Sequence, residues 1–395
     1  MSAKCRASGL FNHRWTVTWR IDMTTIHLIG DSLVTAYGSD EENIIGGWGD
    51  HLGCFFDEKK VVVRDYAQAG RSTRSFLNEG RFLDDERFGT ADFPYLGPVY
   101  PQIKPGDFVF IEFGHNDDDS REKVNLFDRM TPLGEPDADG VYPTVEPKEY
   151  MKVSNKIIPE SYPKLMRESG IAEDEIPALI KKGMELMPRY GALYYSYDCG
   201  ATYKGYLKFY VDAVRYKGAY PVLVTPTSRL KMEDGKIIPF AGHHGNMDAF
   251  GAFPRIRAVW QLAEELAVPV IDLFGYSRSV FEYLGYDKAT YLQSITDEDG
   301  VLIGGVRMGK PGSWPVDYNE RRESGSFGGF DDTHQNRFGS YLFAGFIAKN
   351  TAGLEHFPKD ALLDVPTKVT VCPDGLKNER GALFGLEDNY GSYEL

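Results

Sequence analysis

Five short apolar runs, at residues 26–29, 61–63, 108–113, 222–224 and 269–273, alternate with stretches whose apolar residues recur at helical spacing. Short runs bounded by glycine, proline or polar residues read as buried strands, whereas Tyr206, Phe209, Tyr210 and Ala213 mark one face of a helix over 203–216. Further helices are predicted over 255–266 and 335–350, and another follows Ser72, whose hydroxyl caps a segment running through Phe76, Leu77 and Phe82. Strands separated by helices cannot pair through tight hairpins, so they run parallel and the crossing helices cover both faces. The predicted fold is therefore α/β: a flavodoxin-like, doubly wound, five-stranded parallel sheet. Sheets of this kind keep their chemistry beyond the carboxyl ends of the strands.

The chemistry-bearing residues collect at those ends. The first run breaks into Gly30-Asp31-Ser32, a tight turn that presents a hydroxyl. Such a serine is inert until a base takes its proton and N–H donors receive the developing oxyanion. The missing parts appear downstream, at Ala69-Gly70-Arg71, at Phe113-Gly114-His115-Asn116-Asp117 and at Asp331-Asp332-Thr333-His334. His334 lies three residues after Asp331, a spacing that lets one loop carry a general base and a carboxylate to fix its tautomer; Asp332 competes for the second role.

In that order the four blocks resemble those of the SGNH (GDSL-type) hydrolases. Five segments narrow the resemblance to the rhamnogalacturonan acetylesterases: Gly47-Trp48-Gly49, GRSTRSFLNEGR at 70–81, GDFVFIEFGHNDDD at 106–119, YPVLVTPTSR at 220–229 and DDTHQNRFGS at 331–340. The resemblance implies Ser32 as nucleophile, His334 as base and Asp331 as its partner. It also implies an oxyanion hole made by the backbone N–H groups of Ser32 and Gly70 with the Asn116 amide, glycine being required at 70 to leave room for the acyl group. The implied activity is removal of O-acetyl groups from pectin-derived, rhamnogalacturonan-like saccharides. Asp31, Arg71, Arg74, His115, Arg229 and His244 are candidate substrate-binding residues, the arginines because a planar guanidinium suits a uronate carboxylate. Two departures bear on the substrate: Asp65 stands where the pattern has Asn, and residues 118–195 are longer than the plain family needs.

Composition excludes other classes. A net charge of -14 and a pI near 5.1 oppose binding to nucleic acid or to an anionic membrane, both of which need dense Lys and Arg. No run approaches the roughly 18 apolar residues of a membrane helix, and a soluble protein is expected. Cys5, Cys54, Cys199 and Cys372 have no CxxC spacing, so neither a zinc site nor a disulfide framework is expected. No metal or cofactor is called for. Residues 1–22 lack the apolar core of a secretory signal and read as a leader or extension, which with the cysteines suggests a cytoplasmic protein acting on acetylated oligosaccharides.

The expected organisation is one domain over 23–365, with insertions at about 118–195 and 290–329 on the active-site face and an unpatterned tail over 366–395. The first insertion shows a helical piece at 176–187 and no strong strand. Asp117-Asp118-Asp119 reads as a solvated strand-end loop and His243-His244 as a surface or substrate-side pair. Three rival readings remain: another SGNH esterase, lipase or thioesterase, a metal-dependent phosphoesterase, and a non-catalytic carbohydrate-binding protein. The phosphoesterase reading is disfavoured because metallophosphatase loops run Gly-Asn-His rather than Gly-His-Asn. The sequence does not fix an oligomeric state.

Overall fold

The computed structural model describes residues 23–37, 45–83, 98–117, 129–147, 151–154, 163, 166–167, 171–186, 193–196, 201–239, 253–296, 302–304, 329–363, 368–372, 375–378 and 392–394. The leader 1–22, Asp118, Asp119, His243, His244 and most of both insertions lie outside these.

In chain order the main elements begin with β1 (Thr24–Gly30), α1 (Gly49–Leu52), β2 (Val61–Asp65), α2 (Thr73–Asn78), α3 (Val99–Gln102) and β3 (Phe108–Glu112). An antiparallel pair, β4 (Met151–Ser154) and β5 (Leu193–Ser196), brackets α4 (Ile176–Leu186) in sequence. Then come α5 (Tyr203–Tyr216), β6 (Tyr220–Val224), a two-residue hairpin of β7 (Met232–Glu233) and β8 (Lys236–Ile237), α6 (Pro254–Leu266), β9 (Val270–Ile271) and α7 (Leu273–Ala289). Last are β10 (Gln293–Thr296), β11 (Leu302–Gly304), β12 (Gly329–Gln335), α8 (Arg337–Thr351), β13 (Lys368–Cys372), β14 (Gly375–Asn378) and β15 (Ser392–Glu394).

The central sheet has five parallel strands in the order β2-β1-β3-β6-β9, which is the expected 2-1-3-4-5 when its own strands are counted. Alternation along each strand feeds two separate apolar layers. Ile26, Leu28, Phe108, Phe110, Val222 and Val224 face the layer containing Leu52, Phe281 and Phe343, from α1, α7 and α8. Ile29, Val109, Ile111 and Leu223 face the layer containing Phe76, Tyr206, Tyr210 and Leu262, from α2, α5 and α6. Each fully buried Ile, Leu or Phe contributes roughly 1.5–3 kcal/mol, so β1 and β3, covered on both faces, hold the site end of the sheet in place.

Several expectations are corrected. The fifth strand is only Val270–Ile271, because Asp272 caps α7, accepting from the Gly275 N–H at 3.0 Å and from the Thr225 hydroxyl at 3.0 Å. Helix α2 stops at Asn78: Gly80, at φ +74°, closes it with N–H bonds from Gly80 to the Leu77 carbonyl and from Arg81 to the Phe76 carbonyl, and Phe82 joins the core from beyond the helix. The first insertion does contain strands, β4 and β5, whose pairing joins segments far apart in sequence. The tail also contains a three-stranded antiparallel sheet, β14-β13-β15. Among the described residues no helix is long and apolar enough to cross a membrane.

Candidate active site

The chain leaves β1 through a turn built on glycine and aspartate. A Cβ on Gly30 would lie 2.4 Å from Val34 Cγ2 and 2.7 Å from the Glu112 carbonyl oxygen, so the sheet and the turn approach closely there. Asp31 Oδ1 accepts from the Leu33 N–H at 3.0 Å, and the Asp31 carbonyl accepts from the Val34 and Thr35 N–H groups. Gly47-Trp48-Gly49 lies against this turn, donating from the Trp48 and Gly49 N–H groups to the Leu33 and Val34 carbonyls at 2.9 Å each. The Trp48 indole in turn donates to Glu112 Oε2 on β3 at 2.7 Å. Ser32 is thus held from two neighbouring segments.

His334 Nε2 lies 2.9 Å from Ser32 Oγ, and His334 Nδ1 lies 2.8 Å from Asp331 Oδ2. Asp331 Oδ1 also accepts from the Thr333 and His334 N–H groups at 2.7 and 3.1 Å. Burial alone would raise the Asp331 carboxyl, but its bonds to His334 and Thr333 prevail and hold it at about 2. Asp332 turns away to Arg229 Nη1 at 3.3 Å. These residues sit on β12 rather than in a loop. Against β10, Gln335 pairs with Gln293 and Phe330 with Ile295, so residues 331–334 bulge from the ladder, which brings the imidazole to the serine.

The remaining expected donors stand beside them. Gly70 adopts φ +79°, which explains the glycine by backbone conformation; a Cβ there would meet only Arg129 Nη1, at 3.5 Å. Asn116 Nδ2 donates to the Arg71 carbonyl at 3.1 Å and lies 3.4 Å from Asp31 Oδ2, while Asn116 Oδ1 accepts from Arg129 Nη1 at 3.2 Å. Helix α2 places this turn: Ser72 forms a capping box with Ser75, and the N–H and hydroxyl of Thr73 donate to Asp117.

Several candidate residues are placed differently from expectation. Asp117 is fully buried rather than solvated, bonded to Thr73, with burial raising its carboxyl against the pull of Arg255. Arg74 is 1% exposed, Asp31 is fully buried, and His115 is buried as well. Arg71 and Arg81 both pair with Glu79, and Arg229 pairs with Asp332. Asp65 accepts from the Ala67 N–H at 2.8 Å, and burial raises its carboxyl well above the ordinary range.

Beneath Ser32 lies a polar cluster: Asp31, Glu112 and His115 each bring one ligand-type atom within 4.8 Å of the others, all buried. Burial raises Asp31 to about 7 and Glu112 well above its ordinary value, and each carboxylate raises the other. Two buried carboxyls so close disfavour carrying two negative charges at once. The sequence blocks contained all three residues but gave no sign that they meet. Arg129 was missed altogether, because it belongs to no block and reaches Asn116 only through space.

This order of parts along the chain, meeting at one end of a doubly wound sheet, is that of an ester hydrolase and resembles the arrangement of the SGNH-type enzymes. No family model matches the chain. It is similar to the probable rhamnogalacturonan acetylesterase YesY of Bacillus subtilis, 27% identical over 264 residues that cover 67% of this chain and 76% of the relative. It is also similar to the rhamnogalacturonan acetylesterase RhgT of Bacillus subtilis, 26% identical over 68% of this chain and 72% of the relative. A solved structure, protein YxiM of Bacillus subtilis, matches 85% of this chain and 58% of its own at 18% identity and a TM-score of 0.43. Over two thirds of its length the chain is thus similar to proteins named as rhamnogalacturonan acetylesterases.

Proposed function

We propose that this ester hydrolase removes O-acetyl groups from pectin-derived, rhamnogalacturonan-like saccharides through an acyl-enzyme on Ser32. The observation that carries the reading is the unbroken chain from Asp331 through His334 to Ser32 Oγ, at 2.8 and 2.9 Å. Ser32 Oγ attacks the acetyl carbonyl while His334 Nε2 takes its proton; Asp331, held ionised, orients Nδ1–H and steadies the imidazolium. The N–H groups of Ser32 and Gly70 and the Asn116 amide receive the oxyanion, with Asn116 Nδ2, which lies 3.4 Å from Asp31 Oδ2, turning that N–H to the substrate. His334 then gives that proton to the departing sugar oxygen, which leaves as a hydroxyl, and a water activated by the same imidazole releases acetate. The names of the relatives support the substrate class. Arg71 and Arg229, the candidates for a uronate carboxylate, each also hold an ion pair within the fold, to Glu79 and Asp332.

Acetate release is to be measured on acetylated rhamnogalacturonan oligosaccharides, acetylated xylo-oligosaccharides, intact polymer and p-nitrophenyl acetate, with and without chelator. Preference for the pectin fragments and indifference to chelator are expected. Preference for xylan fragments would remove the pectin assignment, and loss with chelator would favour a metal mechanism. Ser32→Ala and His334→Ala are each expected to cost at least roughly a thousandfold in kcat with the fold intact. A serine-directed phosphonate that labels another residue would overturn the nucleophile.

A further inference from the structure

We propose that Arg129 is a positioning residue that sets the orientation of the Asn116 amide for oxyanion binding. This inference rests on the esterase reading above. An asparagine side chain presents oxygen on one side and nitrogen on the other, and only the nitrogen side stabilises an oxyanion. A guanidinium can only donate. Arg129 Nη1, 3.2 Å from Asn116 Oδ1, therefore fixes the oxygen on its own side and leaves the NH2 turned toward Arg71 and the Ser32 turn. The same nitrogen lies 3.4 Å from the Gly70 carbonyl oxygen, so one side chain braces both residues that flank the expected oxyanion position.

The placement of Arg129 is itself built. At β3's end the Thr131 N–H donates to the Asp117 carbonyl at 3.1 Å. Arg255, 3% exposed, donates from Nη2 to both the Asp117 and Thr131 carbonyls, at 2.7 and 2.9 Å. The residue two before Thr131 is thereby registered against the residue just before Asp117. Had the guanidinium been placed to meet substrate alone, a contact with the amide oxygen would serve no purpose; here it decides which end of the amide faces the chemistry.

The test is a double-mutant cycle on p-nitrophenyl acetate, which lacks a sugar for Arg129 to bind. Arg129→Met is expected to lower kcat roughly tenfold with KM within about twofold, and Arg129→Lys, still a donor, to retain most of the rate. In an Asn116→Ala background Arg129→Met is expected to cost almost nothing further, because the group it positions is gone. Multiplying losses would show that Arg129 acts directly on the oxyanion and would overturn the proposal, as would an unchanged kcat. A loss confined to KM on acetylated saccharides would also overturn it, by making Arg129 a substrate contact. Should Arg129→Met fail to fold, judged by its thermal transition, Arg129→Ala in the two backgrounds supplies the same comparison. An inactive wild-type protein would instead count against the esterase reading.

Discussion

Asp331 and Asp332 are adjacent and chemically identical, yet one holds the imidazole and the other an arginine. Spacing alone left both possible, and the bulge in β12 decides between them. Asp331→Asn keeps the shape but loses the ionised partner; kcat is expected to fall by roughly 10⁴-fold, measured at saturating substrate. The same carboxyl stabilises the fold above its ordinary value of 3.8, and this contribution, about 2 kcal/mol, is lost as pH falls toward about 2. Asp31 has the opposite sign. Raised from 3.8 to about 7, it favours the fold fully at low pH and loses that contribution as pH climbs through 7. Denaturant midpoints of Asp31→Asn are therefore expected to decline less than wild type between pH 4 and pH 8; an equal decline would show that Asp31 does not titrate there. The identities of Ser32, Gly70, Asn116, Asp331 and His334 were legible as short blocks. The burial of Asp31, Arg74 and Asp117 was not, since charge in a sequence carries no sign of which carboxyl the folded chain will cover.

At the scale of elements, α2 shows what a few local residues achieve. It has six residues, too short to persist alone, and is held by the Ser72–Ser75 capping box, a glycine at its end and the bond from the Tyr210 hydroxyl to the Thr73 carbonyl at 2.7 Å. Its first turn also binds Asp117 and so fixes the strand end that carries Asn116. Ser72→Ala is expected to cost about 1 kcal/mol in chemical unfolding, and to lower kcat more than KM because the oxyanion donors lose their registration. The cap was readable from Ser72, and the stop was not until Gly80 was seen at positive φ. The longer helices, α5 and α6, were readable from spacing nearly to the residue. The short antiparallel strands β4, β5, β14 and β15 were not, because so short an alternation is set by its distant partner rather than by its own pattern.

On the scale of the whole molecule, the five central strands and their order followed from the alternation of apolar runs with helical stretches, because a sheet covered on both faces leaves that rhythm in the chain. The small sheets elsewhere left none. The same topology sets the first and last parts of the core against each other. The Leu363 N–H donates to the Phe55 carbonyl and the Asp57 N–H to the Ala361 carbonyl, both at 2.8 Å, while the Gly46 N–H reaches the Gln335 carbonyl at 2.9 Å. Ser32 and His334, which share the site's central hydrogen bond, are 302 residues apart. During synthesis the nucleophile therefore leaves the ribosome long before its base exists. A nascent chain carries a serine no more reactive than any surface hydroxyl, and hydrolysis begins only when the final helix seats against the first, so that every active molecule is one whose core has already closed.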